Sequence, residues 1–293
     1  MRVLSHILLL WLGLFALQSH AATLLVLIPG QTALTEEFIS ALANTGDHRV
    51  VVHNPAEGDA PDIDPDRVIT MGVSSLQWWL AQPASTPTIA TYVTRSGLAA
   101  AGLATPPGHV RLLLANPRPV RQLRLAQLLV PRMRTAGLLH SPGSDAQLSH
   151  WQEAATATQT KLNTAELADV GDLARMLVSL LDRSDVLIGI DDPQIYNADN
   201  LKTILLTSYT RDRVLIGPSA PFIAAGSLST SFSSPTEMAR SVSYLMDHPA
   251  STSISYPRYF SVLSNQQVAR SMGFPPPDDA ALAAELARME GIE

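Results

Sequence analysis

The chain contains no cysteine, which excludes disulfide bonds and leaves the hydrophobic core alone to hold the fold together. The missing cysteine also excludes a lipoprotein signal, because that signal needs cysteine at its cleavage site. Aromatic residues make up only 5% of the chain, whereas hydrophobic residues make up 46% and charged residues 16%. This composition is typical of an ordinary globular protein.

The chain also lacks an excess of positive charge. Its formal net charge is −6, with an isoelectric point of about 5.7, and phosphate backbones require a basic surface. Nucleic acid is therefore excluded as a partner. The local cluster of arginines is interpreted as a solvated helix face or, at most, a surface for a protein partner; it comprises Arg111, Arg118, Arg121, Arg124, Arg132 and Arg134.

Long apolar runs are absent except near the start of the chain. Arg2 precedes an apolar stretch from Ile7 to Leu17, and small residues follow at Ser19 and Ala21. The stretch is shorter than the roughly 20 residues of a membrane-spanning helix. Residues 1–21 are therefore predicted to form a cleaved signal peptide. We expect an exported periplasmic protein that has no lipid anchor and is a monomer.

The rest of the chain alternates short apolar runs with amphipathic segments. Continuous apolar strands such as "TLLVLIP" and "DVLIGI" are typical of parallel sheets covered by helices on both faces. The alternation predicts an α/β fold with two Rossmann-like lobes. Lobe 1 is predicted to comprise residues 22–116 and 235–258, and lobe 2 residues 117–234 and 259–293, including a C-terminal tail.

Segments that connect the lobes are predicted from their polar, alternating character. "GSLSTSF" (226–232) and "YPRYFSVLSN" (256–265) are both expected to cross between the lobes. Between them, Ser234, Pro235 and Glu237 have the spacing of a capping box with proline at the first helical position. A helix is therefore predicted to begin at residue 235.

The predicted strand ends carry small, hydroxylic or acidic residues. Ligands of open parallel sheets gather outside the carboxyl ends of the strands, where helix N-termini also attract anions. An alternative remains that these serines and aspartates only cap helices. The predicted ligand-binding residues are Gln31, Gly72, Ser74, Ser75, Tyr92, Thr94, Ser141, Ser144, Asp191, Asp192, Tyr196 and Ser219.

Enzyme chemistry finds little support in the sequence. "GVSSL" and "GPSAP" each supply half of a nucleophile elbow, around Ser74 and Ser219, and both lack the second glycine. Consecutive aspartates in extended chain point to opposite faces, which disfavours a metal site or a carboxylate pair at Asp191 and Asp192. Glycine-rich nucleotide-binding loops are absent. We therefore predict no catalytic residue, no metal and no cofactor.

The second half of the chain resembles a known family. "DVLIGIDDPQIYNADN", "FIAAGSL" and "YFSVLSNQQVARSMGFPPP" are similar to motifs of ABC-transporter substrate-binding proteins, in the family that includes tryptophan-binding members. The resemblance extends most strongly over residues 118–275. It implies a type 1 periplasmic-binding-protein fold, with two lobes joined by three crossovers that close on a small solute. An ABC permease in the inner membrane is the implied partner.

The resemblance also implies roles around the paired aspartates. Asp191 is expected to line the cleft between the lobes and to receive an ammonium or hydroxyl group of the ligand. Asp192 either joins it or caps the helix that follows, Pro193 fixes the turn, and Tyr196 adds a stacking face. An amino acid or similar small zwitterion is the expected solute. The alternative function is an orphan sensory or partner-binding relative that has no role in transport.

Overall fold

The structure is a computed structural model that describes residues 21–83, 85–248 and 252–292. All but the last residue of the predicted signal peptide lies outside the described residues. Two six-stranded sheets form the centres of two lobes. No helix in the described ranges is long and apolar enough to cross a membrane.

The first sheet has the strand order β11-β5-β4-β3-β1-β2, and all its neighbouring strands run parallel. Its strands are β1 (Ala22–Leu27), β2 (His48–His53), β3 (Arg67–Met71), β4 (Thr88–Val93), β5 (Val110–Leu114) and β11 (Ile254–Ser255). The helices that pack around it are α1 (Ala33–Ala43), α2 (Gly72–Leu80), α3 (Arg95–Ala100) and α9 (Pro235–Asp247).

The second sheet has the order β12-β10-β9-β8-β6-β7. Its strands are β6 (Thr135–His140), β7 (Lys161–Glu166), β8 (Val186–Ile188), β9 (Leu215–Ile216), β10 (Ser229–Phe232) and β12 (Ser261–Ser264). Its helices are α4 (Pro119–Leu129), α5 (Leu148–Ala157), α6 (Leu173–Leu181), α7 (Ala198–Tyr209), α8 (Pro221–Ala225), α10 (Gln266–Ser271) and α11 (Asp279–Met289). Short 3₁₀ helices cover Pro55–Glu57, Pro142–Gln147 and Val170–Asp172.

The chain crosses between the sheets three times: between β5 and α4, between β10 and α9, and between β11 and β12. Helix α9 belongs to the first lobe because Met238 and Val242 pack in one cluster with Leu24 and Phe38. The predicted α/β class, with two Rossmann-like lobes and a three-crossover hinge, is confirmed. One pairing departs from the expected parallel pattern, since β12 runs antiparallel to β10.

The predicted crossing at 226–232 is wrong, because residues 229–232 form β10 inside the second sheet. This polar strand is buried because Gln122 on α4 satisfies it. The Gln122 amide nitrogen donates to Thr230 Oγ1 (3.1 Å), and its amide oxygen accepts from the backbone N–H (3.0 Å) and hydroxyl (3.0 Å) of Ser231. Hydrogen bonds made by a distant helix therefore stabilise a segment whose sequence is typical of an exposed linker.

Candidate functional site

The lobes touch directly through Asp191, which follows β8 in the second lobe, and Ser96, in the first turn of α3 in the first lobe. The Ser96 backbone N–H donates to Asp191 Oδ2 at 2.8 Å, and the Ser96 hydroxyl donates to Asp191 Oδ1 at 2.7 Å. Both carboxylate oxygens thus accept hydrogen bonds from the opposite lobe. The charge makes both bonds stronger than neutral ones, so this contact is a specific link between the lobes.

On the first lobe, Ser96 is positioned by the cap of α3. Thr94 is the N-cap residue, and its hydroxyl accepts from the Gly97 backbone N–H at 3.1 Å. The Arg95 backbone N–H donates to Asn116 Oδ1 at 2.9 Å, which ties the helix start to the end of β5. The N–H groups of Arg95 and Gly97 thus have partners within the first lobe, whereas the Ser96 N–H donates to the second lobe.

On the second lobe, Asp191 is positioned by the close packing that ends β8. A side chain at Gly189 would bring its Cβ within 2.6 Å of Pro218, so only glycine allows the chain to pass there. Ile190 is buried in the core, and the Asp191 carbonyl accepts from Gln147 Nε2 at 2.8 Å. These contacts direct the Asp191 carboxylate across the cleft between the lobes.

Asp192 has a different role from its neighbour. It is 2% exposed, and its carboxylate accepts from the backbone N–H groups of Ser141 (2.6 Å) and Gln194 (3.1 Å). It therefore joins the ends of β6 and β8 and holds the turn before α7, whose N-cap is Asn197. The sequence suggested that Asp192 either lines the cleft beside Asp191 or caps α7. Asp192 does neither, since it does not line the cleft cavity and Asn197 caps α7.

The stacking role predicted for Tyr196 does not agree with its placement. Its ring is buried in the second-lobe core, and its hydroxyl donates towards the carbonyls of Ile188 (3.2 Å) and Leu139 (3.4 Å). Burial, followed by the charge of Asp192, raises the pKa of the Tyr196 phenol. Its aromatic ring therefore packs behind the strands rather than in the cleft.

Two adjoining spaces lie near the Asp191–Ser96 contact. The smaller, which we call the cleft cavity, measures about 20 Å³, which is room for about one water molecule. Its wall includes Arg95, Asn116, Gln122, Gln147, His150 and Asp191. Next to it is a larger open space of about 820 Å³, which we call the basic groove; Arg95, Pro119, His150 and Tyr256 line both.

Of the residues predicted to bind ligand, Asp191 lines the cleft cavity, and none of the others borders the cleft cavity or the basic groove within the described ranges. In the first lobe, Gln31 and Ser74 are exposed, Ser75 is buried, Gly72 has a φ of +81°, and Thr94 caps α3. In the second lobe, Ser141 and Ser144 are buried at the end of β6, and Ser219 is half-buried beyond β9.

Tyr92 deviates from ordinary strand geometry at the end of β4. Its φ is +55°, a conformation that a bulky residue rarely adopts. The ring packs edge to face on Phe38 with centroids 5.6 Å apart. Its hydroxyl is buried without a hydrogen-bond partner among the described residues, and burial together with Glu37 raises its pKa. The tyrosine is directed towards α1, away from the Asp191–Ser96 contact.

Sequence reasoning missed Arg95, Ser96, Gln147, His150 and Tyr256. A signal for α3 was present, because Thr94 precedes a segment rich in good helix formers, "GLAAA", as an N-cap does. Arg95 and His150 carried no such signal. Burial lowers the pKa of His150 and the nearby Arg95 lowers it further, while Glu153 opposes the shift. The two basic groups therefore lie close together across the cleft.

Catalytic arrangements are not formed by the candidate residues. Neither Ser74 nor Ser219 hydrogen-bonds a histidine in the part of the chain that the structure describes. The same described ranges hold no group of three or more His, Asp or Glu side chains that could bind a metal ion.

No protein-family model matches the sequence, and no curated protein matches it. Solved structures do match over almost their whole length. CD0873, a substrate-binding protein with adhesive properties from Clostridium difficile, in its ligand-free, open structure, has a TM-score of 0.64 and 14% identity. The match covers 88% of this chain and 97% of that one. This is the type 1 periplasmic-binding-protein fold.

Two further solved structures match most of the chain. An ABC domain from Streptococcus pneumonia in complex with L-Trp has a TM-score of 0.52 and 16% identity over 88% of this chain and 97% of its own. A conserved domain protein from Vibrio cholerae has a TM-score of 0.52 and 14% identity over 90% of this chain and 98% of its own. At these identities the likeness establishes the fold, and function has to be argued from the site.

Proposed function

We propose that this protein is a solute-binding protein that holds a small solute between its two lobes. The observation that carries the proposal is the Asp191–Ser96 contact, in which a carboxylate at the end of β8 meets the first turn of α3 across the cleft. It lies at the carboxyl ends of both sheets, where open parallel sheets bind ligands. The fold shared with a substrate-binding protein supports the same function.

Binding of this kind works by selection of a closed arrangement. A solute that contacts both lobes favours the closed state by the affinity it gains there and lacks in the open state. Arg95 of the first lobe and His150 of the second both line the basic groove, which has room for a small solute. A solute in that space is in reach of both lobes at once, as closure requires.

The finer function that we propose is delivery of this solute to an ABC permease in the inner membrane, from a periplasmic location. The predicted signal peptide and the resemblance of residues 118–275 to ABC substrate-binding proteins support it. We propose no enzymatic activity, and the fold shared with CD0873, a substrate-binding protein, supports this.

A thermal-shift screen of the purified protein against amino acids, short peptides, vitamins, sugars and organic acids tests the binding function. A solute that binds only the folded state at 100 times its Kd adds about 2.7 kcal/mol to stability, which gives a readable rise in Tm. We expect Asp191→Ala to reduce the rise. A broad panel in which no solute raises the Tm would contradict solute binding and favour the sensory or partner-binding alternative.

A further inference from the structure

The basic groove differs in charge from the rest of the molecule. The chain as a whole has a net charge of −6. The groove is nevertheless lined by four arginines and two glutamates, which leaves two positive charges in excess before His150 is counted. A concave surface of one sign raises the local concentration of ions of the opposite sign. The groove is therefore an attractive site for anions on an acidic protein.

Two of the four arginines are already neutralised by the chain itself. Glu290 accepts from Arg121 Nε (2.8 Å) and from Arg118 Nη1 (3.0 Å). Arg95 and Arg258 have no carboxylate within 4.0 Å among the described residues. These two guanidinium groups are the ones available to an anion.

Arg95 and Arg258 are held in place by tyrosine side chains rather than by acids. Arg95 Nε donates to the Tyr256 hydroxyl at 3.3 Å, and the Arg258 guanidinium lies 4.6 Å from the centroid of the Tyr244 ring. A stacked guanidinium keeps its outward N–H groups available for hydrogen bonds in the plane of the group. Both arginines are therefore preorganised and still have free donors.

The basic groups come from both lobes and from the crossover between them. Arg95 begins α3 of the first lobe, His150 lies on α5 of the second, and Arg258 lies in the third crossover, between β11 and β12. Arg95 and His150 line the groove together, and the charge of Arg95 disfavours a positive charge on His150. An anion between them removes this repulsion and so stabilises the closed lobes.

We propose that the basic groove binds a small solute with two negative charges, and that Arg95, Arg258 and His150 recognise those charges. This inference rests on the proposed solute-binding function and names the chemical class of the solute. Guanidinium groups bind both carboxylate and phosphate oxygens through paired N–H donors. A dicarboxylate and a phosphate monoester are the two sources of such a dianion. The groove is of the size that takes up a small organic molecule.

The test is isothermal titration calorimetry of the full-chain protein with three probes: succinate, glycerol phosphate and succinamide. Succinamide has nearly the shape of succinate but carries no charge. We expect heat of binding with succinate or with glycerol phosphate, and the stronger of the two identifies the source of the charge. We expect succinamide to bind at least about tenfold more weakly, because it forms no charge-assisted bonds with arginine.

Variants locate the bound anion. Arg95→Gln and Arg258→Gln are each expected to weaken binding of the anionic probe by about tenfold or more. Arg132→Gln is the matched control, because it removes the same charge from an exposed residue that does not line the groove. Circular dichroism of each variant checks that it is folded. Equal losses for Arg132→Gln and Arg95→Gln would overturn the assignment of the site.

The outcomes distinguish a failure of the dianion inference from a failure of the proposed solute-binding function. If a neutral or zwitterionic solute binds with a dependence on Asp191 while neither anionic probe binds, the dianion inference is wrong and the solute-binding function stands. If succinamide and succinate bind with equal affinity, the dianion inference is likewise wrong and the solute-binding function stands. If neither these probes nor the broad thermal-shift panel shows binding, both proposals fail.

Discussion

At the scale of single residues, Arg121 and Glu290 form a buried ion pair, with side chains 3% and 2% exposed. The guanidinium also donates to the Pro257 carbonyl (3.2 Å) and lies 3.6 Å from the centroid of the Phe260 ring. Burial alone would raise the pKa of Glu290, but the bonds from Arg121 and Arg118 outweigh it and lower that pKa. The pair joins the C-terminus to α4 and to the third crossover.

Replacing Glu290 leaves the buried arginine without a counter-charge. We expect Glu290→Gln to reduce the free energy of unfolding by about 3–5 kcal/mol, as is typical when one partner of a buried ion pair is removed. Urea unfolding at neutral pH measures the change. Glu285→Gln is the control, since Glu285 pairs with Arg288 at the surface and should leave the midpoint nearly unchanged. Equal midpoints for the two variants would contradict the role of the buried pair.

The same pair predicts a pH dependence. The pKa of Glu290 is lowered from its ordinary value of 4.5, so its stabilising effect is complete above about pH 4.5. It is lost as the pH falls through the lower pKa of the folded protein, because protonation removes the charge that Arg121 needs. The stability difference between the natural protein and Glu290→Gln should therefore shrink in acid. A difference that stays constant from pH 7 to pH 3 would contradict this account.

His150 predicts a pH dependence of solute binding. Its pKa is lowered from 6.5 by burial and by Arg95, against the opposing charge of Glu153; Asp191 is the other acid on the wall of the cleft cavity. A bound dianion favours the charged imidazolium, so the affinity for the anionic probe should rise as the pH falls from 8 to 6. His150→Gln should flatten this rise. A calorimetric affinity that does not depend on pH would rule out protonation of His150 on binding.

At the scale of elements, the capping box at the start of α9 also makes a contact at the hinge between the lobes. Ser234 Oγ accepts from the Glu237 backbone N–H (3.2 Å), and Glu237 Oε2 accepts from the Ser234 N–H (2.8 Å). The other Glu237 oxygen accepts from the Ser261 hydroxyl at 2.7 Å. The capping box therefore fixes the start of the helix and also ties the second crossover to β12.

We expect Ser234→Ala to cost about 1 kcal/mol of stability, the typical effect of losing an N-cap. Ser40→Ala, on an exposed position of α1, is the control and should change stability by less than about 0.5 kcal/mol. Urea unfolding of both variants gives the comparison. Equal stability of Ser234→Ala and the natural protein would show that the box does not stabilise the start of α9.

At the scale of the whole molecule, the Asp191–Ser96 contact is one of the direct links between the lobes. Without the carboxylate, the Ser96 hydrogen-bond donors face the other lobe with no acceptor, and the closed arrangement loses two charge-assisted bonds. We expect Asp191→Ala to shift the population towards open lobes, seen as a larger radius of gyration in small-angle X-ray scattering. Asp59→Ala, which removes an exposed charge, should leave the scattering unchanged.

The fold could be predicted because its signals are local. Runs such as "TLLVLIP" and "VLIGI" are buried on both faces in parallel sheets, as their continuous apolar character indicated. The site was less predictable. Asp191 could be predicted because it directly follows a strand. Ser96 could not, because it lies 95 residues from Asp191 in the chain. His150 could not either, because only the packing of the lobes places it on the same cavity wall as Asp191. Sequence spacing carries no information about such contacts.

The sequence by itself determined the two α/β lobes, the helix start at Pro235 and the position of Asp191 at a strand end, because each depends on neighbouring residues or on a short hydrophobic period. Only the tertiary structure decided that Ser229, Thr230 and Ser231 form a buried strand, that Asp192 and Tyr196 turn inward, and that Arg95 and His150 share a groove. These placements depend on partners distant in the chain, whose hydrogen bonds and charges act only once the lobes have folded and met.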